Sequence, residues 1–206
     1  MICIFGCLLN DEGKKIKQEM LEWLNKYHTV FCVDKLPPNR EYEYPFIQKV
    51  IDCSIMVNKP VLYLHTKGAG NPISKAWKLL TDMKFPLPKN AKPEDCQKIV
   101  RNMWKYEFTE NINAYLTAVN SNEPIVACPY TGDDKTTWQN GFIINPSAAK
   151  VLKKEFHLDK NRYYYERMFH NNNIKVIGIR LNNVQRNKLN QWNMWEDLWN
   201  NFLYYD

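Results

Sequence analysis

Four consecutive residues, His65-Thr66-Lys67-Gly68, carry the strongest chemical signal in this chain. They follow the apolar run Val61-Leu62-Tyr63-Leu64 and are followed closely by Gly70. An imidazole, a hydroxyl and an ammonium leaving a buried strand could meet an anion together. Lys67 is a mobile point charge suited to phosphate. Gly68 and Gly70 allow close approach of the backbone to a ligand, or positive φ. An ordinary strand-to-helix turn with a solvated lysine has the same composition, so position in a fold decides between them. Asp34 either ends its strand or contacts a ligand. Downstream, Trp138 beside Asn140-Gly141 offers an aromatic platform for a sugar, or simply a core ring. Asp133-Asp134-Lys135 reads as a solvated acidic loop, with a second acidic site as the sharper alternative. Glu166 lies in a tyrosine-rich stretch between Arg162 and Arg167, where an ion pair would be its structural role. His157 and His170 are lone histidines read as structural or exposed.

The elements that must position these groups follow from hydrophobic spacing. Residues 2–9 read as a strand, and Ile16, Met20, Trp23 and Leu24 mark a helix to about Tyr27. Residues 28–34 read as a second strand ending in Asp34. A loop with two adjacent prolines follows, then a helix over 45–58 and the strand 60–64. This alternation predicts an α/β fold with a mostly parallel central sheet flanked by helices, in a single domain 1–206 with a first half over 1–70 and a second half over 71–206. In an open sheet of that kind, ligands bind outside the carboxyl ends of the strands. Further on, the spacing predicts a short helix around 77–83 and one long helix over 94–119. Strands follow at 124–130 and from Phe142 to Asn145. Asn145-Pro146 has the form of a helix start, cap then proline. Another helix is expected from about Asp159, then a strand over 174–181. Trp192, Trp195, Trp199 and Phe202 sit at helical spacing in the tail, predicting an amphipathic helix that caps the core; a membrane-surface helix is the lesser alternative, because the basic face such helices carry is absent.

Bulk properties narrow the function classes. Lys and Arg number 28 against 22 Asp and Glu, giving +6, which suits an anionic small ligand. No dense basic cluster appears, so a dedicated nucleic-acid binder is disfavoured. The six cysteines, at 3, 7, 32, 53, 96 and 128, form no CxxC pair and match no zinc spacing. With no signal peptide and no run of membrane-spanning length, a reduced, cytoplasmic protein with no transmembrane segment is expected.

The order of these features resembles the GT-A fold of nucleotide-sugar glycosyltransferases. The stretches VLYLHTKG, Arg101-Asn102-Met103-Trp104, Trp138 to Phe142 and Arg162 to Glu166 are similar to a group of microbial and viral glycosyltransferases with an HTKG-type motif, those that build the capsid glycan of chlorella viruses among them. The resemblance spans nearly the whole chain. It implies transfer of a sugar from a nucleotide diphosphate sugar, a UDP-sugar, to a hydroxyl of a glycan or glycoprotein acceptor, in the host cytoplasm if the protein is viral. It further implies that the half over 1–70 is nucleotide-binding, that Gly6, Leu8 and Asp34 face the nucleoside, and that His65, Thr66, Lys67 and Gly68 face the diphosphate. Trp138, Asn140 and Gly141 would line the sugar cleft, and Glu166 would stand near the anomeric carbon as the catalytic base. The family commonly ends its third strand in Asp-x-Asp, which holds a divalent cation, Mn²⁺ or Mg²⁺. Here the matching residues are His65-Thr66-Lys67. Either Lys67 itself neutralises the leaving diphosphate, or a metal is held by His65, the diphosphate and a carboxylate elsewhere. An inverting reaction follows if Glu166 is the base; a retaining one follows if no carboxylate reaches the acceptor. A non-catalytic nucleotide-sugar-binding module of the same fold is the rival reading.

Overall fold

The computed structural model of the chain describes residues 1–35, 43–66, 74–132, 137–138, 141–159, 164–169, 172–184 and 188–205. Seven strands form one mixed sheet: β1 (Ile2–Leu8), β2 (Thr29–Lys35), β3 (Val61–His65), β4 (Ile125–Gly132), β5 (Thr137–Trp138), β6 (Phe142–Ile144) and β7 (Lys175–Val184). Helices α1 (Asp11–Tyr27), α2 (Tyr44–Val57), α3 (Ser74–Asp82), α4 (Asp95–Glu107), α5 (Ile112–Val119), α6 (Pro146–Glu155), α7 (Tyr164–Arg167) and α8 (Lys188–Phe202) connect and flank them.

The strand order is β2-β1-β3-β6-β4-β5, with β7 also paired to β4. β1 is parallel to β2 and to β3, and β7 is parallel to β4. The short β6 runs antiparallel to both of its neighbours, β3 and β4. β1, β2, β3, β4 and β7 therefore point the same way and share one carboxyl edge. The expected mostly parallel α/β sheet is present. It is continuous across both halves, because β3 of the first pairs with β6 of the second.

Alternation along β1 divides the core in two. Cys3, Phe5 and Cys7 pack with Ile16, Met20 and Leu24 of α1 and with buried residues of α4 and α8. Ile4 faces the opposite way, toward Phe46, Ile47, Val50 and Ile51 of α2 and Ala148, Ala149 and Leu152 of α6. With helices on both faces, Val61 to Leu64 and Ile125 to Cys128 are wholly buried, which explains their unbroken apolar runs.

Local chemistry sets the boundaries. The Asn10 side chain accepts the Gly13 N–H at 2.7 Å and starts α1. A Cβ on Gly13 would lie 1.7 Å from the Leu8 carbonyl oxygen, so only glycine lets α1 begin so close to β1. Asn145 caps α6 as its Asn-Pro sequence predicts, accepting the Ala148 N–H at 2.9 Å. Its side-chain amide also donates to the Glu123 carbonyl at 2.7 Å.

Two expectations need correction. The helix expected over 94–119 is two helices broken at 108–111. The Glu107 carboxylate accepts from Asn111 and Tyr115, both at 2.8 Å, and Phe108 is buried against Tyr115, so the chain turns where the apolar stripe alone would continue. Of the helix expected from Asp159, the described residues show the turn α7, which ends at Arg167. The last strand runs on to Val184. The tail helix α8 seats Met194, Trp195, Leu198, Trp199 and Phe202 in the core, so its aromatic stripe serves packing. Among the described residues, no helix is long and apolar enough to cross a membrane.

Candidate functional site

β1 and β3 lie side by side, but their connections diverge. The chain leaves β1 through α1 toward β2, and returns through α2 on the opposite face to β3. Such a divergence opens a crevice at the carboxyl ends of the two strands, where ligands bind in open α/β sheets. Thr66, 5% exposed, stands at those ends, directly after β3 and beside β1. Its N–H donates to the Gly6 carbonyl at 2.9 Å, and its hydroxyl accepts the Leu8 N–H at 3.0 Å. A hydroxyl that accepts once still has a proton to give. Among the described residues that proton has no acceptor.

His65 precedes Thr66 and is held between rings. It stacks on Tyr63 with centroids 5.8 Å apart and meets Trp104 of α4 edge-on at 5.6 Å. Tyr63 is itself fixed, its hydroxyl donating to Glu43 at 3.0 Å just before α2. Burial and the neighbouring Glu43 carboxylate push the Tyr63 phenol well above its usual range, so it stays a neutral donor. Gly141 enters the same cluster from the start of β6. A Cβ there would lie 2.4 Å from Trp104 Nε1 and 3.1 Å from Leu64 Cδ2. Only glycine lets the indole close on this strand end. Trp104 is fully buried, and among the described residues its Nε1–H has no hydrogen-bond partner.

The sequence-derived candidates divide. Thr66, His65 and Gly141 converge on this crevice. Asp34 is nearby at the end of β2, but both its carboxylate oxygens accept from Lys17 Nζ of α1 at 2.8 Å. The hydrogen bond to Asp34 raises the Lys17 ammonium above its ordinary value. At Gly6 the Phe46 ring lies 2.5 Å from where a Cβ would stand, so the small size of this residue serves packing of β1 on α2. Leu8 contributes through its backbone, whose N–H is taken by Thr66, and its side chain packs against the α1-side core. The backbone of Trp138 pairs with Tyr130 in the carboxyl half of β4, and α7, which carries Glu166, lies against β5. Both therefore belong to the same edge, though their side chains lie outside the description. Lys67, Gly68, Asn140, Asp133, Asp134 and His170 lie outside the described residues. His157 is exposed, contacts Tyr164 and the Glu155 carbonyl, and plays a local role. Trp104, given no role of its own in the sequence, is a core ring that packs behind this strand end: on a helix stripe, such a ring has the same signature as any other core residue.

The donor set at the described edge does not suit a hard divalent cation. It consists of one imidazole walled by two rings, one hydroxyl, and a carboxylate on β2 already engaged by Lys17. Among the described residues, no group of three His, Cys, Asp or Glu side chains could hold a metal ion. His65 as a metal ligand is thus not supported by its surroundings, since hard cations take several oxygens at once.

The strongest electrostatics lie elsewhere, under α8. Arg180 of β7 donates to Asp197 at 2.7 and 2.6 Å and to Glu107 at 2.8 Å. Glu107 is 0% exposed. Tyr130 and Asn201 also donate to Asp197, at 2.5 and 2.8 Å. Burial alone would lower the Arg180 guanidinium, but the two carboxylates hold it far above its ordinary value. Burial would likewise raise Asp197, and Arg180 and Tyr130 overcome it, leaving the carboxyl below its ordinary value. Every group here is satisfied by another, the signature of a structural tie. Comparison with family models, with curated proteins and with solved structures finds no match to this chain.

Proposed function

We propose that this chain is a GT-A-type glycosyltransferase that moves a sugar from a UDP-sugar to a hydroxyl of a glycan. The observation that supports the reading best is the placement of His65 and Thr66 at the crevice between β1 and β3, with Lys67 and Gly68 next in sequence. The resemblance of VLYLHTKG to that family supplies the rest.

The Thr66 hydroxyl donates its proton to a phosphate oxygen of the donor. Lys67, the next residue, neutralises the charge that grows on the diphosphate as the glycosidic bond breaks, the role a preorganised cation plays in such a transition state. Trp138, Asn140 and Gly141 line the sugar, and Glu166 takes the proton of the acceptor hydroxyl, giving inversion at the anomeric carbon. The glycan acceptor and a cytoplasmic location belong to the same proposal.

The rival reading, a non-catalytic nucleotide-sugar-binding module, draws on the same strand end: where the family carries two carboxylates, this chain has His65 and Lys67. Turnover separates the two. The enzyme releases UDP from its donor in the presence of acceptor, and Lys67→Ala reduces that rate by about 100-fold or more. Donor binding with no UDP release from the unaltered chain contradicts the enzyme and supports the module.

A further inference from the structure

A further concave surface lies at the far end of α1. Helix α1 starts beside the carboxyl end of β1 and runs back along the sheet. Trp23 and Tyr27 near its end are therefore about 18–24 Å from the crevice edge at 1.5 Å per residue. There α1, α4 and the chain after α8 enclose an open groove of about 580 Å³. This is within the roughly 300–1,000 Å³ of small-molecule sites.

Three aromatic residues, Trp23, Tyr27 and Tyr205, line the groove among charged and polar ones. Trp23 and Tyr27 stand one turn apart with centroids separated by 6.5 Å, and Tyr27 is 56% exposed. Tyr205 forms the opposite wall, set edge-on against Tyr106 at 5.8 Å. Its hydroxyl donates to Glu110 at 2.7 Å, which fixes both groups. Glu19 is held by Arg101 at 3.2 Å and Lys105 at 3.1 Å. Glu22 accepts from Gln18 at 3.3 Å. Each carboxylate thus sits in a defined place and keeps lone pairs for further donors.

The geometry points to a neutral oligosaccharide as the ligand of this groove. Rigid aromatic faces receive the apolar faces of sugar rings with little loss of side-chain entropy. Fixed carboxylates accept pairs of sugar hydroxyls. The charges lining the groove nearly cancel, three glutamates against Lys26, Lys105 and the adjoining Arg101, so neither a polyanion nor a basic peptide gains from the field. This inference concerns a different part of the molecule from the crevice and does not rest on glycosyl transfer.

The test is titration of the intact protein with four neutral hexaoses (cellohexaose, maltohexaose, mannohexaose and xylohexaose), followed by tryptophan fluorescence and by the Trp23 indole resonance. At least one hexaose binds saturably with Kd near or below about 1 mM, and added salt leaves that Kd unchanged. Tyr27→Ala, at an exposed ring, weakens it by about tenfold or more, and Glu22→Gln weakens it by a smaller factor. UDP-sugar binding is unchanged in Tyr27→Ala. Three results overturn the proposal: no shift with any hexaose at about 10 mM, binding that Tyr27→Ala and Tyr205→Ala both leave intact, or binding of a basic proline-rich peptide in preference to every saccharide. Failure at the crevice reads out separately, as loss of UDP-sugar binding with hexaose binding retained.

Discussion

Two polar regions of this molecule are built on opposite principles. Under α8, Glu107, Arg180 and Asp197 saturate one another from three different elements, with Tyr115, Tyr130, Asn111 and Asn201 taking up further lone pairs. At the carboxyl edge of β1 and β3, the polar groups are few, and one hydroxyl proton and one indole N–H are without acceptors among the described residues. The first arrangement uses charge to hold elements together. The second keeps donors back at a crevice between diverging chains. Density of charge therefore separates the two regions: the mutually paired carboxylates and guanidinium form the tie, and the proposed site lies at the lightly furnished strand ends.

Breaking the tie has the largest expected effect. Arg180→Met leaves Glu107 buried without its cation, and chemical denaturation reports a loss of about 3–5 kcal/mol. A loss under about 1 kcal/mol means that the cluster is more hydrated than its geometry implies. Gly141→Ala comes next. The added methyl meets the Trp104 indole, and the strain of about 1–3 kcal/mol appears as a lowered midpoint. If the variant is as stable as the parent, the contact between β6 and α4 is loose.

Thr66→Val sharpens the comparison, because it separates holding from binding. Loss of the clasp between β1 and β3 costs about 1 kcal/mol of stability. The same change weakens a UDP-sugar by about tenfold if the hydroxyl meets phosphate. Equal affinity in parent and variant assigns Thr66 to structure alone. A pH series probes a third place, the amino edge. Burial depresses His28 from 6.5 to about 4, with the N-terminal amino group adding to the effect. The folded state thus prefers the neutral ring. Stability from this group is present above pH 6.5 and lost as pH falls toward about 4. His28→Gln flattens the acid limb in that window. An unchanged limb removes His28 from the account.

Much of the first half of the fold is legible in the sequence alone. Val61 to Leu64 reads as a strand because both faces of the sheet are covered, and Ile16, Met20 and Leu24 recur at the spacing that α1 buries. Asn145-Pro146 announces α6 because cap and proline act locally. The break between α4 and α5 was not legible: it depends on Glu107 reaching Asn111 and Tyr115 while bound to Arg180, 73 positions away. The reversed direction of β6 was hidden too, since a three-residue strand carries no mark of orientation. The place of Thr66 after a strand is legible in the sequence, whereas its clasp to Leu8 depends on the pairing of β1 with β3. The packing of the Phe46 ring over Gly6 is equally a tertiary feature. Trp104 illustrates the limit: only the pairing of β6 with β3 brings Gly141 beneath it.

The most direct test of the account is calorimetric titration of the intact chain with a panel of UDP-sugars, with and without Mn²⁺. The account predicts that one UDP-sugar binds without metal, in the micromolar range, and that Lys67→Ala weakens it by about 100-fold. Failure of every donor to bind under both conditions contradicts the glycosyltransferase reading. Affinity that Lys67→Ala leaves unchanged contradicts the assignment of the phosphate site.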